Sequence, residues 1–260
     1  MIKINPIEIP EILQKNQQDW TEKLLFSIIE HKGYSSIPEN IKNIVVNKYR
    51  HEEITSAVNN RTKGKCSFCE SIIETVSYTN IEHFYPKSLY PKFTFKWSNL
   101  IPACNRCNVK KKDYDTRKNP FINPLKDNPE DLLYYKELKI YALQNNLKAS
   151  NTLDKCLLNR KELINRRAEI LTTFYDLEES IGKHNKHYNT LNKKAAKLKI
   201  ADELLESIKN LNEIGGHYKS YAGYFRFLIN NSQIITDSLE IINTHLDDLQ
   251  LSNNFDFDWN

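Results

Sequence analysis

Apolar residues recur with helical spacing near the start of the chain. Between residues 10 and 60 they fall three or four positions apart, as they do when one face of a helix is buried. The clearest set is Trp20, Leu24, Leu25, Ile28 and Ile29. The stretch GYSSIPEN at 33–40 then interrupts the pattern with glycine, serine and proline. We predict one helix before this stretch and a second helix after it.

The pattern changes in the middle of the chain. The β-branched run TVSYTNI at 75–81 is typical of a strand. A loop rich in proline and aromatic residues follows at 85–97, and CNRCNVKKKD at 104–113 favours a short basic helix. Strand and helix patterns are thus mixed here, unlike in the regions on either side.

Helical patterns dominate the last part of the chain, after one exception. The segments LYYKE at 133–137 and KIYAL at 139–143 predict a pair of short strands joined by a tight turn. Together these patterns predict a mainly α protein with a small α+β insert. We divide it into a helical region at 1–60, a mixed module at 61–118 and a second helical region at 119–260.

Composition excludes some classes of protein. The chain has 260 residues, 40% of them hydrophobic, which is enough to bury a core in one large domain or two small ones. Its longest apolar runs, such as IKNIVV and LLFSII, are too short to cross a bilayer. The first residues lack the basic region and apolar core of a secretory signal. We therefore expect a cytoplasmic protein, in which paired cysteines hold metal more often than they form disulfides.

Positive charge is concentrated in the mixed module. The whole chain carries a formal net charge of +4, but residues 61–118 hold twelve Lys and Arg against five Asp and Glu. The rest of the chain is therefore slightly acidic. Such a patch is typical of a phosphate-binding surface, although a run of charge also occurs on an ordinary solvated face.

Four of the five cysteines form two CxxC pairs. Cys66 and Cys69 make the first pair and Cys104 and Cys107 the second, with 34 residues between the pairs. Two such pairs can place four thiolates around one tetrahedral zinc, which they satisfy completely, so we predict a structural zinc. The alternatives are four buried free thiols, or a thioredoxin-like redox pair, which needs only one CxxC and a βαβ context.

Between the two pairs lie residues with different chemistry. Glu82 and His83 are adjacent at or near the end of the predicted strand, and Asn99 and Asn108 follow. A carboxylate can bind a hard cation, and an imidazole with an unperturbed pKa of ~6.5 can accept a proton near neutral pH. Each residue alone also has an ordinary structural interpretation, such as a satisfied core histidine or a turn asparagine.

These residues resemble the signature of the HNH endonucleases. That family has a ββα-metal fold, with an acid-His pair on the first strand, Asn near the second strand and His or Asn on the following helix. Glu82 and His83, then Asn99, then Asn108 match these positions, and Lys111 completes the ending CxxCNxxK of a zinc-stapled branch. The resemblance covers about Lys65 to Asp113.

The resemblance implies a role for each matched residue. His83 is expected to be the general base for hydrolysis of a phosphodiester. Glu82 and Asn108 are expected to bind one catalytic Mg²⁺ or Mn²⁺, separate from the zinc. Asn99 is expected to brace the loop that holds the histidine. Glu82 stands where the family more often has Asp, and Asn108 where it often has His, so the cation would have two oxygen ligands and no imidazole.

The same resemblance implies that the basic patch binds DNA. Lysine and arginine side chains around the matched residues are expected to contact DNA phosphates without reading the sequence of bases. This set is Lys87, Lys96, Arg106, Lys110, Lys111 and Lys112.

A longer pattern resembles one particular branch of the family. The segments CSFCE, IEHFYPKS, WSNL and CNRCNVKK, followed by LLNRKEL, are similar to the HNH component of Septu-type anti-phage defence systems. That resemblance implies an ABC-type ATPase as partner. The ending NFDFDWN at 254–260 is either a disordered tail or a peptide that docks on a partner through its aromatic residues.

Other classes of protein remain open at this point. A zinc-stapled nucleic-acid-binding protein without catalysis needs the cysteines and the basic patch but not Glu82, His83 and Asn108 together. An adaptor protein needs neither the basic charge nor these three residues. A toxin subunit controlled by a partner is compatible with nuclease activity.

Overall fold

We analysed a computed structural model of the chain, which describes residues 1–73, 80–251, 253–257 and 259. The chain divides into two compact units, residues 1–160 and residues 161–260. The predicted division at 60/61 and 118/119 followed changes in sequence character, and these two units do not test it. Within the described part of the chain, no helix combines the length and apolar character that crossing a membrane requires.

The first unit begins with three helices. They are α1 Glu11–Glu30, α2 Glu39–Val45 and α3 Glu52–Asn60, with a 3-10 turn at Asn47–Arg50 between the last two. Helix α1 starts directly after Pro10, whose missing N–H and fixed φ suit this position, and the stretch GYSSIPEN separates α1 from α2 as predicted.

The N-terminal helices pack against the module that contains the cysteines. Buried residues of one core cluster come from α1 and α3 and also from the loop and strand around Trp97: Leu13, Leu24, Ile54, Val58, Phe95, Trp97 and Leu100. Arg61 strengthens this packing, because its guanidinium lies 3.6 Å from the Trp97 ring centroid and donates to the Leu100 carbonyl at 2.9 Å. Unit 1 therefore includes the N-terminal helices as well as the module that contains the cysteines.

The module itself has a ββα arrangement. Strand β1, Asn80–His83, pairs antiparallel with β2, Leu100–Ala103, with His83 opposite Leu100. Helix α4, Asn105–Lys111, follows directly. This arrangement confirms the predicted α+β insert. Of the predicted strand at 75–81, residues 75–79 lie outside the described residues.

Unit 1 ends with a second strand pair and a helix. Strands β3, Leu133–Lys136, and β4, Lys139–Ala142, form the predicted hairpin, in which Glu137 has the positive φ of 52° that a tight turn requires. Helix α5 follows at Leu147–Lys155 and begins with Asn146, whose side chain accepts from Ala149 N.

Among the residues that the structure describes, the regular structure of the second unit is helical. Its helices are α6 Lys161–Thr190, α7 Lys194–Ile214, α8 Ala222–Asn230 and α9 Gln233–Asn243. One side of each contributes to a common apolar core, which includes Phe174, Ile208, Phe225 and Ile242. The predicted fold class, mainly α with a small α+β insert, is confirmed.

The aromatic residues of the C-terminal segment pack on this helical core. Phe255, Phe257 and Trp259 are partly buried against it. Arg226 donates to the Trp259 carbonyl at 2.9 Å, and a Cβ placed on Gly215 would come within 2.2 Å of the Trp259 ring. The described part of this segment is therefore neither a disordered tail nor a peptide extended toward a partner. Asp258 and Asn260 lie outside the described residues.

Candidate active site

The four cysteines of the CxxC pairs converge on one point. All four are buried, and their Sγ atoms lie within 4.8 Å of one another. Cys69 Sγ and Cys104 Sγ are 3.7 Å apart. Sulfurs bound tetrahedrally to zinc at about 2.3 Å stand roughly 3.8 Å from each other, so this spacing fits a zinc ion. Four sulfur ligands would leave no open position for substrate.

Hydrogen bonds hold the segment that contains the first CxxC pair against the strand pair. Ser67 donates to the Pro102 carbonyl on β2 through its backbone N at 3.0 Å and through its hydroxyl at 2.8 Å. Glu70 has φ 60° and donates its backbone N–H to the Cys66 carbonyl at 2.9 Å, which turns the chain back after Cys69. Strand β2 therefore holds the two CxxC pairs next to each other, although 34 residues separate them in the sequence.

Arg160 is a neighbour of the cluster that the sequence did not indicate. Its Nη1 donates to Cys107 Sγ at 3.8 Å and to the Cys156 carbonyl at 3.2 Å. Burial disfavours the charged guanidinium, but the negative charge of Cys107 and its neighbours outweighs this effect and raises the pKa of Arg160. A permanent cation beside the thiolates partly offsets the charge of a four-sulfur site.

A separate cleft opens on the module. Its volume is about 470 Å³, and Glu82, His83 and Asn108 all line it. The first two stand at the end of β1 and Asn108 lies in the middle of α4. The ββα arrangement therefore brings together three of the four predicted catalytic residues. Asn99 is not among the described residues that line the cleft.

Glu82 forms a buried ion pair with Lys111. Lys111 Nζ donates to Glu82 Oε1 at 2.6 Å and to the His83 carbonyl at 3.1 Å, and the two side chains are 0% and 5% exposed. Burial raises the pKa of Glu82, and the ammonium of Lys111 opposes that rise. Among the described residues nothing donates to Glu82 Oε2, so this oxygen remains for another ligand.

The imidazole of His83 is held in a defined orientation. Its Nε2 donates to the Thr94 carbonyl at 3.0 Å, which leaves Nδ1 as the proton acceptor of the neutral ring. Tyr49 packs edge-on against this ring, with the centroids 4.6 Å apart. Burial first, and the positive charge of Lys87 next, lower the pKa of His83 to about 3. The ring is therefore neutral near pH 7.

Asn99 is buried and braces the loop after β1. Its Oδ1 accepts from Tyr85 N at 2.7 Å, and its Nδ2 donates to the carbonyls of Tyr85 at 3.1 Å and Phe93 at 3.0 Å. These bonds join both ends of the segment that leads to Thr94, the partner of His83. Asn99 thus acts on the histidine only through the backbone.

The residues predicted to bind DNA divide into three groups: two line the cleft, three are exposed outside its lining, and Lys111 is buried. Lys87 and Lys112 line the cleft. Lys96, Arg106 and Lys110 are exposed outside its lining.

Lys111 departs from the prediction. Its side chain is fully buried in the ion pair with Glu82, where a phosphate group of DNA could not reach it. Lys111 is therefore not expected to contact a phosphate group.

Sequence reasoning did not select seven of the residues that line the cleft: Tyr49, Arg50, Thr55, Asn80, Ile81, Pro86 and Asp113. The first three belong to the N-terminal helical region, which we interpreted as scaffold. Nothing in the spacing of these three residues relates them to Glu82 or His83, and only the packing of the helices on the module brings them there.

The ββα geometry, the cysteine cluster and the cleft together define the kind of module present. Residues 66–114 match the family model described as HNH endonuclease. The match covers the segment in which the resemblance was seen and confirms it. It does not include the N-terminal residues that line the cleft.

Two curated relatives are similar over longer stretches. The chain is 39% identical to Septu protein PtuB of Bacillus thuringiensis over 101 residues, which is 38% of each chain. It is 27% identical to Septu protein PtuB of Bacillus mycoides strain KBAB4 over 201 residues, 65% of this chain and 67% of that one. The predicted resemblance to the Septu HNH component is thus confirmed as a similarity, although the first alignment spans well under half of that relative.

A third relative shares a shorter segment. Protein ea31 of Escherichia phage lambda is 44% identical over 48 residues, which are 18% of this chain and 15% of that protein.

Proposed function

We propose that the protein is a metal-dependent endonuclease that hydrolyses phosphodiester bonds of DNA. The observation that carries this proposal is a single cleft in which a neutral, oriented His83 lies with two oxygen-bearing side chains, Glu82 and Asn108. A base and a pair of hard ligands are what phosphodiester hydrolysis requires from a protein. The match of residues 66–114 to the HNH endonuclease family supports the same reaction class.

His83 acts on the attacking water. Its Nδ1 takes one proton from the water, whose oxygen then forms a bond to phosphorus while the bond from phosphorus to the 3′ oxygen breaks. The Thr94 carbonyl accepts from Nε2 and stabilises the imidazolium that forms. Solvent supplies the proton for the departing 3′ oxygen. The products are a 5′ phosphate and a 3′ hydroxyl group.

Glu82 Oε2 and Asn108 Oδ1 would hold the catalytic Mg²⁺ or Mn²⁺. A bound divalent cation supplies positive charge to the phosphate and the leaving oxygen. The donor set fits such an ion, because both are hard oxygens and Lys111 occupies only Oε1 of the carboxylate. Lys111 and the backbone of β1 keep Glu82 in place.

The biological setting is proposed from the relatives. Both longer alignments are to proteins named Septu protein PtuB, so we propose a nuclease of an anti-phage defence system that acts in the cytoplasm with an ABC-type ATPase. Exposed lysines and arginines around the cleft suit a nucleic-acid substrate.

The direct test is cleavage of plasmid by the purified protein. Each of several divalent cations is added in turn, with and without a candidate ABC-type ATPase partner. We expect nicking or linearisation that needs Mg²⁺ or Mn²⁺. Absence of cleavage under all these conditions, with intact zinc and a folded protein, would contradict the proposal.

One observation favours a second candidate, a zinc-stapled nucleic-acid-binding protein without catalysis. The ammonium of Lys111 already neutralises Glu82, so the cleft attracts a cation less strongly than it would if this carboxylate were unpaired. Calorimetry with Mn²⁺ separates the two. A site that binds Mn²⁺ and is lost in Asn108→Ala supports the nuclease, and DNA binding without any Mn²⁺ site supports the second candidate.

A further inference from the structure

We propose that Arg50, in the 3-10 turn ahead of α3, binds a phosphate group of the nucleic-acid strand in the cleft. This inference rests on the proposed function and adds a substrate contact to it. Arg50 lies outside the HNH-matched residues 66–114. The catalytic cleft would thus be completed by the N-terminal helical region.

Arg50 lies close to His83, the proposed general base, because Tyr49 contacts both residues. Tyr49 packs edge-on against His83 at 4.6 Å, and its hydroxyl accepts from Arg50 Nε at 3.3 Å. Arg50 and His83 both line the cleft. A phosphate group placed where His83 can act on the attacking water is therefore within the reach of an arginine on this wall.

The hydrogen bond to Tyr49 leaves the two terminal nitrogens of the Arg50 guanidinium available for a ligand. It uses Nε, and within the described part of the chain no acceptor is bonded to the two terminal nitrogens of Arg50. Paired N–H groups at the end of a guanidinium match two oxygens of a phosphate. Arg50 is also solvent-exposed, so no large rearrangement is needed for such a ligand to reach it.

The charge around Arg50 favours an anion. Lys87 Nζ and the Arg50 guanidinium carbon lie 5.4 Å and 5.7 Å from the centroid of the same Tyr49 ring. Neither cation is paired with a carboxylate of the described residues. Lys112 adds a third cation to the lining, against Asp113 and the already neutralised Glu82. A phosphodiester backbone would relieve the repulsion between these cations.

Lys48 offers a matched control. It lies two residues earlier in the same 3-10 turn, is also cationic and exposed, and does not line the cleft among the described residues. A general loss of positive charge would affect Lys48→Ala and Arg50→Ala alike. A specific phosphate contact would affect Arg50→Ala alone.

The test measures binding and cleavage separately. Arg50→Ala, Arg50→Lys and Lys48→Ala are each made in the full chain and in a His83→Gln background, in which we expect a labelled DNA duplex to bind without being cut. Anisotropy at several salt concentrations gives the dissociation constant and its salt dependence. Single-turnover cleavage is measured with His83 present, and thermal unfolding and zinc content confirm that each variant is folded.

We expect Arg50→Ala to weaken binding roughly tenfold and to reduce the salt slope by about one, with cleavage falling at least as far. Lys48→Ala should match the parent, and Arg50→Lys should fall between them. Equal behaviour of Arg50→Ala and Lys48→Ala would overturn the inference.

The failure of the inference is distinguishable from that of the proposed function. If the parent binds DNA but cuts nothing, and Arg50→Ala still loses binding, the phosphate contact stands and the nuclease proposal fails. If the parent neither binds nor cuts DNA, both fail.

Discussion

The cysteine cluster and the cleft belong to the same ββα module, yet one is a closed site and the other an open one. The cluster has four identical ligands, all buried, and their geometry leaves no room for a further molecule. The cleft is lined by carboxylate, imidazole, amide and basic groups from several segments, some of them exposed. The difference suits a structural role for the first site and the proposed exchange of substrate and product at the second.

The largest effect should follow loss of one zinc ligand. Cys69→Ser removes one of four thiolates, and zinc binding in small domains is worth about 10–16 kcal/mol of apparent folding energy. We expect unit 1 to lose more than about 5 kcal/mol of stability, with less than one zinc per chain by elemental analysis. Cys156→Ser is the control, since Cys156 is buried but lies outside the four-sulfur set. Wild-type stability and zinc content in Cys69→Ser would show that the cluster is not a structural zinc site.

The buried ion pair of the cleft should give the next effect. Lys111→Met leaves the buried Glu82 without its partner, and we expect a loss of about 3–5 kcal/mol in the free energy of unfolding. The exposed Lys110→Met should change it by less than about 0.5 kcal/mol. Adding Glu82→Gln to Lys111→Met should recover part of the loss, because the unpaired carboxylate is then gone. Chemical denaturation of these three variants and the wild type measures this, and equal stability of the two single lysine variants would refute the pairing.

Alanine variants of Asn99 and Asn108 should differ, because Asn99 is expected to support the loop and Asn108 to bind the catalytic cation. Asn99→Ala leaves the backbone N–H and carbonyl of Tyr85 without these partners and removes one of the two donors to the Phe93 carbonyl, so we expect a loss of about 2–3 kcal/mol. Asn108→Ala removes a half-buried side chain at the cleft, and we expect a change within about 1 kcal/mol but a clear loss of Mn²⁺ affinity by calorimetry. The reverse pattern, with Asn108 the more important for stability, would contradict the roles assigned to them.

Sequence reasoning predicted the closed site better than the open one. Two CxxC pairs specify four ligands of one kind, so their meeting point was predictable without knowing the path between them. The motif also predicted that Glu82, His83 and Asn108 would meet. It could not show that Lys111 turns inward, because a lysine in a basic run is ordinarily solvated and only the burial of Glu82 draws it in.

The N-terminal wall of the cleft could not be predicted at all. Tyr49 and Arg50 are more than thirty residues from His83, and their helical pattern describes only which side faces a core. Which surface that core covers depends on long-range packing of Trp97 and Leu100 against the helices. The strand hairpin at 133–142, in contrast, was predictable because its pattern and its turn are local.

The central claim is that His83, in the cleft, acts in the proposed hydrolysis while the cysteine cluster does not. Because His83 is buried, alanine would leave a cavity there, so His83→Gln is the better variant: it retains an amide able to donate to the Thr94 carbonyl and has no basic nitrogen. Plasmid cleavage is measured for the wild type, His83→Gln and Asn108→Ala across a Mn²⁺ titration, beside zinc content and DNA binding. We expect His83→Gln to keep zinc and DNA affinity but to cut nothing at any Mn²⁺ concentration, and Asn108→Ala to regain activity at high Mn²⁺. Cleavage by His83→Gln at the wild-type rate would contradict the account.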